Sequence, residues 1–129
     1  MEEEHPIGRK AFQEKEQENL AMEDFGFREM QEIQRQLQEK YKDKWNPLSP
    51  EQGKDQLMWM MIEVGEAADI MKKEGVRKIM EDAGTRAHFI EEMVDIMMYY
   101  NDVLLSYDIS IEEFRDTYLK KHQRNMKRW

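Results

Sequence analysis

Two stretches decide the fold: WMMIEVGEAADIM at residues 59–71 and HFIEEMVDIMMYYNDVLL at residues 88–105. In both, apolar residues recur at the three- and four-residue spacing of an α-helix. Each stretch also carries two acidic residues three positions apart, namely Glu63 and Glu66 in the first and Glu92 and Asp95 in the second. We therefore predict two long apolar helices that bring four carboxylates to one seam.

The first acid of each pair points into the apolar arc of its helix. At about 100° per residue, Glu63 lies beside Trp59 and Glu92 lies beside Ile96, whereas the second acid of each pair lies nearer the polar border. An ionised carboxylate on a core-facing arc costs several kcal/mol unless it is paired, hydrogen-bonded or bound to a metal. The two pairs therefore need a partner.

Composition limits the class of protein. A chain of 129 residues is most simply one domain. Its 40% hydrophobic and 37% charged residues, with three prolines, favour long amphipathic helices. The net charge of -8 argues against a general binder of nucleic acid or of anionic membranes. The absence of cysteine excludes disulfides and thiolate metal sites.

The two ends of the chain differ in charge. Residues 1–24 carry eight acids and three bases, with few apolar residues, so we expect a polar N-terminal extension that is disordered or forms a solvated helix, followed by a domain over residues 25–129. Residues 115–129 carry six bases and one acid, which suits anion binding. The acidic first ten residues are unlike a secretory signal, and no run approaches the length of a membrane span. We therefore expect a soluble cytoplasmic protein without membrane or nucleic-acid partners.

Periodicity and turn signals give the order of the helices. We predict helices from residue 27 to about 42, from 50 to about 73, from 85 to about 107 and from 111 to about 128. A short helical turn is expected between Gly75, which ends the second helix, and Gly84. Thr85 is the expected cap of the third helix. Ser49 with Gln52, and Ser110 with Glu113, form capping-box patterns for the second and fourth helices.

Methionines are concentrated in the two central helices, where they read as adaptable core. The apolar arc covers more than half of the second helix, and burial on that scale suggests that a second subunit packs there. We therefore predict an all-α antiparallel bundle of about four main helices, completed by oligomerisation.

Four carboxylates on two facing helices form an all-oxygen ligand set, which suits Mg²⁺ and, alternatively, Mn²⁺. Magnesium binds through a few carboxylates together with phosphate oxygens of a substrate. A polyphosphate is the expected substrate. On the fourth helix Lys121, Asn125 and Arg128 fall within about 60° of one another, on the side of Phe114 and Tyr118, where they can bind phosphate oxygens.

These residues resemble a known family. The pattern Glu63-x-x-Glu66, then Glu92-x-x-Asp95, then a closing Lys121-x-x-x-Asn125-x-x-Arg128-Trp129, is similar to that of the MazG-like all-α NTP pyrophosphatases, which are related to the dimeric dUTPases. The similarity covers residues 27–129 in outline and is most specific in the second and third helices.

The resemblance implies a homodimer, or a dimer of dimers, that hydrolyses a nucleoside triphosphate to the monophosphate and pyrophosphate. It implies that the four acids hold Mg²⁺ and that one of them orients or deprotonates the attacking water. Many relatives have a further glutamate where this chain has Ile62. Tyr99 matches a position near the nucleotide in some pyrimidine-specific relatives, and Trp45 is a candidate for stacking on the base.

Several alternatives compete with a nucleotide hydrolase. The acids can pair with cations of the fourth helix, and the terminal cations can interact with the helix dipole alone. A di-iron carboxylate bundle requires Glu-x-x-His motifs, and here an acid takes the place of the histidine. His88 is more simply an edge residue than a metal ligand. The non-enzymatic alternative is a helical interaction module with a salt-bridged acidic seam.

Overall fold

The computed structural model describes the backbone of residues 6–128 and the side chains of residues 10–128. This part of the chain contains five α-helices, one short 3₁₀-helix and no strand, which confirms the all-α class. The bundle arrangement and its completion by oligomerisation stay predictions. The α-helices are α1 (Pro6–Leu20), α2 (Phe27–Lys40), α3 (Gly53–Glu81), α4 (Ala83–Ser106) and α5 (Ile111–Arg128).

The chain divides into two compact units, Met1–Trp45 and Asn46–Trp129. The first unit holds α1 and α2. The second holds the 3₁₀-helix Pro50–Gln52 and the helices α3, α4 and α5. The predicted boundary between residues 24 and 25 stays a prediction.

In the first unit, much of the predicted polar extension is helical. Most described side chains of α1 are exposed, and residues 1–5 lie outside the described residues. Polar contacts join α1 to α2: the Asn19 amide donates to Gln36 Oε1 at 2.9 Å, and Lys40 Nζ lies 3.9 Å from Glu16 Oε1. Such contacts between largely exposed groups stabilise the pair of helices weakly.

Helix α2 begins at Phe27, as predicted, and its most buried side chains are Gln31 and Gln34, at 1% and 4% exposure. Two of its glutamines therefore lie on the inner side of the helix. At about 100° per residue, Gln34 falls within the arc of Phe27 and Tyr41, so its position on the inner side follows from helical geometry. The polarity of glutamine alone does not predict this burial.

At the start of the second unit, the predicted capping box of Ser49 and Gln52 does not form. The Ser49 side chain makes no capping hydrogen bond. Its carbonyl instead accepts from the Gln52 amide at 3.0 Å, because a 3₁₀ turn comes before α3. Helix α3 then begins at Gly53, where a Cβ atom would lie 2.5 Å from the ring of Tyr107. Glycine at this position permits the end of α4 to approach.

The predicted interruption at Gly75 is confirmed. The backbone there has φ 80° and ψ 170°, so α3 is kinked at this residue and resumes as a short helical segment to Glu81. Only glycine adopts this conformation readily. The cap of α4 is Asp82 rather than Thr85: Asp82 Oδ2 accepts from the Thr85 amide at 2.9 Å and from its hydroxyl at 2.8 Å. Because Asp82 is the single residue between α3 and α4, its carboxylate lies nearest the free backbone amides at the start of α4.

Helices α3 and α4 pack as an antiparallel hairpin. Gly53 at the start of α3 meets Tyr107 at the end of α4, and the ring of Trp59 lies 6.3 Å from that of Tyr99. Residues later in α3 therefore contact residues earlier in α4, as in any antiparallel pair. The buried apolar residues within the described part of the chain are Ala67, Ile70 and Leu104.

Many large apolar side chains of the hairpin remain exposed. Met61 and Ile62 on α3 are 56% and 59% exposed, and Ile90 on α4 is 49% exposed. Further exposed members of this set are Met58, Met71, Val76, Met80, Met93 and Val94. The hairpin thus exposes large apolar side chains on both of its helices.

Helix α5 follows a tight connection after α4. The Ser110 hydroxyl accepts from the Glu113 amide at 3.1 Å, which confirms the Ser110 half of the predicted capping box. The Phe114 ring meets the edge of the Tyr100 ring at 6.1 Å. Beyond this contact α5 does not pack along α3 or α4 within the second unit. Among residues 6–128, no helix has the length and apolar character needed to cross a membrane.

Candidate metal centre on the α3–α4 hairpin

The antiparallel register brings acids from two helices together. The rings of Trp59 on α3 and Tyr99 on α4 lie near each other. Glu63 lies four residues after Trp59, and Asp95 lies four residues before Tyr99, so the two acids lie at the same level of the antiparallel hairpin. Glu63, Glu92 and Asp95 each offer a carboxylate oxygen, and these oxygens all lie within 4.8 Å of one another. The structure thus assembles three of the four predicted acids, drawn from both helices.

These carboxylates are poorly solvated. All three residues are half-buried, and the Glu92 side chain is only 12% exposed. One oxygen of Glu63 and one oxygen of Glu92 are buried without a hydrogen-bond partner. A buried oxygen that lacks a donor is destabilising, and it is more so when it is charged. The cluster therefore has unmet capacity to accept hydrogen bonds or to bind a cation.

The pKa of Glu63 reflects the same poor solvation. Burial is the largest cause that raises the pKa of Glu63 to about 7 from its ordinary 4.5, followed by a hydrogen bond shared with Glu92. Repulsion from Glu66 and Asp95 acts in the same direction. Burial, with repulsion from Glu91 and Glu66, also raises the pKa of Asp95. Both groups therefore hold a proton more tightly than they would in water, and a nearby positive charge would act in the opposite direction.

Glu66 is exposed and is not a member of the three-residue cluster. It still lies close enough to raise the pKa of Glu63 through repulsion and a side-chain hydrogen bond. Its role as a fourth ligand stays a prediction. His88 Nε2 lies 3.3 Å from Glu92 Oε1 on the next turn of α4, with 61% of its side chain exposed, as expected for an edge residue.

Within residues 10–128, no lysine or arginine forms an ion pair with any of the three clustered acids. The basic residues of α3 instead pair along their own helix, as Lys73 does with Asp69 at 2.8 Å and Lys78 does with Glu74 at 3.0 Å. Internal salt bridges therefore do not neutralise the cluster within this part of the chain.

An aromatic pair borders the acids. Tyr99 lies on the same side of α4 as Asp95, one turn further along, with its ring tilted 58° against that of Trp59. Burial, followed by repulsion from Glu63, raises the pKa of Tyr99, so its hydroxyl stays a hydrogen-bond donor at neutral pH. Trp59 is 41% exposed. The placement of Tyr99 is compatible with the nucleotide contact proposed for it, which stays a prediction.

The predicted phosphate-binding residues lie on α5. Lys121 and Asn125 line an open groove of about 400 Å³ that also contains Tyr100, Phe114, Thr117, Tyr118 and His122. Arg128, the third predicted member, lies at the last residue of α5 and has an interaction of its own. Trp129, which closes the sequence pattern, lies outside the described residues.

Trp45, the other candidate for contact with a base, belongs to the first unit. Its ring stacks on Tyr41 at 4.6 Å with 24° between the planes. Lys40 and Lys44 lie over the ring of Tyr41, at 5.6 Å and 6.0 Å from its centroid. This packing occupies one face of Trp45, and 43% of the residue remains exposed. Its role as a base-stacking residue stays a prediction.

Two amide side chains, those of Asn101 and Gln31, are buried, and each has an atom without a hydrogen-bond partner. Asn101 is 1% exposed: its amide donates to the Met97 carbonyl at 3.0 Å, and its Oδ1 has no partner. Gln31 has a buried amide nitrogen without a partner. The burial of these residues could be predicted only from their positions on the helices. Asn101 lies in the apolar continuation of α4, and Gln31 lies one turn before Gln34.

Comparison with models of protein families, with curated proteins and with solved structures finds no match to this chain.

Proposed function

We propose that this chain is a Mg²⁺-dependent nucleoside triphosphate pyrophosphohydrolase of the MazG-like type, which converts a (d)NTP and water to a (d)NMP and pyrophosphate. The proposed role is removal of unwanted nucleotides from the cytoplasmic pool by a homo-oligomer. Mn²⁺ is the alternative metal. Family membership rests on the resemblance of the acidic motifs.

One observation carries the proposal: three carboxylates from two facing helices lie within 4.8 Å of one another, with buried oxygens that lack donors. Solvated acidic faces are common, but they do not bury unpartnered oxygens at a shared point. An oxygen-only ligand set of this density suits Mg²⁺ or Mn²⁺ rather than zinc or copper. Glu63, Glu92 and Asp95 would hold the ion, with Glu66 beside them.

In the proposed reaction, a water oxygen forms a bond to the α-phosphorus while the bond from that phosphorus to the α–β bridging oxygen breaks. The bridging oxygen leaves with the pyrophosphate, and one carboxylate of the cluster takes the proton of the attacking water. When bound, Mg²⁺ neutralises phosphate charge and lowers the pKa of water. Lys121, Asn125 and Arg128 bind phosphate oxygens, and Tyr99 contacts the nucleoside.

The test compares Asp95→Asn and Glu92→Gln with Asp69→Asn, which removes an exposed acid of the same hairpin that pairs only with Lys73. Pyrophosphate release is measured with Mg²⁺ over the eight common NTPs and dNTPs. We expect each cluster variant to lose about 10²-fold or more, the scale of a lost group that acts in the transition state. Asp69→Asn should keep its activity. Wild-type activity that survives both cluster substitutions, with helical far-UV CD retained, would refute the role.

A helical interaction module is the second candidate, and the exposed apolar side chains on α3 and α4 favour it. In that case the acids would pair with cations of a partner. The two functions separate on metal binding. A metal site requires Mg²⁺ or Mn²⁺ to raise the melting temperature of the wild type, whereas an interaction module without a metal site shows no rise at millimolar metal.

A further inference from the structure

His88 lies one turn before Glu92 on α4, at the border of the acidic cluster. Its Nε2 lies 3.3 Å from Glu92 Oε1, and its side chain is 61% exposed whereas that of Glu92 is only 12% exposed. Residues four apart on a helix are neighbours, and side chains lean toward the N-terminal end of their helix, so Glu92 leans back toward His88. An exposed ring thus contacts a largely buried carboxylate.

The two oxygens of Glu92 differ in their surroundings. Oε1 lies against His88, whereas Oε2 is buried and has no hydrogen-bond partner. Glu63 likewise buries an oxygen without a partner, and one oxygen from each of Glu63, Glu92 and Asp95 lies within 4.8 Å of the others. A contact that fixes Oε1 also fixes the direction of Oε2, because both belong to one planar group. His88 therefore leaves Oε2 available to a cation.

His88 is not itself a member of the ligand set. Neither of its ring nitrogens joins the three carboxylate oxygens that lie within 4.8 Å of one another. An imidazole also suits Zn²⁺ or Cu²⁺ better than it suits Mg²⁺. Within residues 10–128, no lysine or arginine pairs with the clustered acids, so His88 is the basic side chain that contacts them. Any effect of His88 on the site therefore passes through Glu92.

We propose that His88 is a positioning residue: its ring N–H donates to Glu92 Oε1 and thereby aims Oε2 at the metal site. Metal-binding carboxylates are themselves held by hydrogen bonds, which fix the ligand before the ion binds and reduce the conformational entropy lost on binding. This inference rests on the metal site of the proposed hydrolase. It adds that the affinity of that site for its ion depends on a residue that does not touch the ion.

The experiment measures the binding of Mn²⁺ to the metal-free, full-length protein by isothermal titration calorimetry, without nucleotide. His88→Leu removes the ring N–H, whereas His88→Gln keeps an N–H at the same number of bonds from the Cα atom. Both replacements are better helix formers than histidine, so α4 should stay intact. Asp69→Asn is the control, since it removes an acid of the same hairpin that lies outside the cluster. Far-UV CD checks each variant, and His88→Ala replaces the leucine variant if leucine lowers the helical content.

We expect His88→Leu to bind Mn²⁺ about 10- to 100-fold more weakly than the wild type, the scale found when a residue that orients a metal ligand is removed. His88→Gln should recover most of this loss, and Asp69→Asn should bind as the wild type does. In the pyrophosphate assay, His88→Leu should raise the Mg²⁺ concentration needed for half the maximal rate by a similar factor, with little change in the rate at saturating Mg²⁺.

Unchanged binding of Mn²⁺ by His88→Leu would overturn the inference, as would equal losses in His88→Leu and His88→Gln, because the N–H would then not be the group that matters. The proposed function fails in a different way. A wild type that binds Mn²⁺, with the expected differences among the variants, but releases no pyrophosphate would refute the hydrolase and leave the positioning role in place. A wild type that binds no Mn²⁺ would refute both.

Discussion

Replacement of Glu63 by glutamine should stabilise the metal-free protein at alkaline pH. The folded protein holds the pKa of Glu63 at about 7, against 4.5 for the free side chain, chiefly because of burial. The folded state therefore binds this proton more tightly than the unfolded state does. The resulting stability is fully present below pH 4.5 and is lost as the pH rises through 7.

The size of the effect follows from the two pKa values. A tenfold change in proton affinity corresponds to about 1.4 kcal/mol, so the ionised carboxylate costs up to roughly 3 kcal/mol above pH 7. Because Glu63 is only half-buried, solvent screening reduces this to about 2 kcal/mol. Glutamine keeps the shape without the charge. We expect Glu63→Gln to raise the free energy of unfolding by about 2 kcal/mol at pH 8 and to change it little at pH 4.

The assay is urea unfolding in the presence of EDTA at pH 4, 6 and 8, at one protein concentration. Asp69→Asn is the matched control, since it removes an exposed i,i+4 pair and should cost less than about 0.5 kcal/mol. Addition of Mg²⁺ at pH 8 should stabilise the wild type and affect Glu63→Gln much less. Equal pH dependence in the wild type and Glu63→Gln, or destabilisation by Glu63→Gln at pH 8, would refute the assignment of strain to this carboxylate.

Two further substitutions test the backbone of the hairpin by thermal unfolding. Gly75→Ala places a Cβ at φ 80° and should lower the free energy of unfolding by about 1–3 kcal/mol. Gly65→Ala, in helical backbone with nothing within 4 Å of the added Cβ, should leave stability unchanged or raise it by up to about 1 kcal/mol; similar losses in both would show that the kink is not the cause. Asp82→Ala removes the acceptor for the Thr85 amide and should cost about 1 kcal/mol, whereas Thr85→Val, which keeps that amide, should cost less. The reverse order would contradict the assignment of the cap.

Much of the fold could be predicted because helical periodicity is a local property. The start of α2 at Phe27, the interruption at Gly75 and the start of α5 after Ser110 all follow from spacing and from residues with special backbone or capping preferences. The capping box predicted at Ser49 does not form because a 3₁₀ turn comes before α3. The cap of α4 is Asp82 rather than Thr85 because a capping pattern does not fix which of two nearby residues comes first in the helix.

The candidate site was predicted in part for the same reason. Angles around one helix place Glu63 and Glu92 on inner faces, and the antiparallel register then brings Glu63 to Glu92 and Asp95. Where α5 lies could not be predicted this way, since its direction depends on the contact between Phe114 and Tyr100 rather than on its own periodicity. The burial of Asn101 and Gln31 likewise arises from packing between elements.

The exposed methionines of the hairpin have a consequence for the chemistry of oxidation. The chain has twelve methionines and no cysteine, so its oxidisable sulfur is entirely thioether. Met61, Met71 and Met80 on α3 are each more than half exposed. Conversion to the sulfoxide makes such side chains polar, and it is reversed by methionine sulfoxide reductases. Peroxide would therefore turn the apolar surface of this hairpin hydrophilic without a change in backbone or net charge.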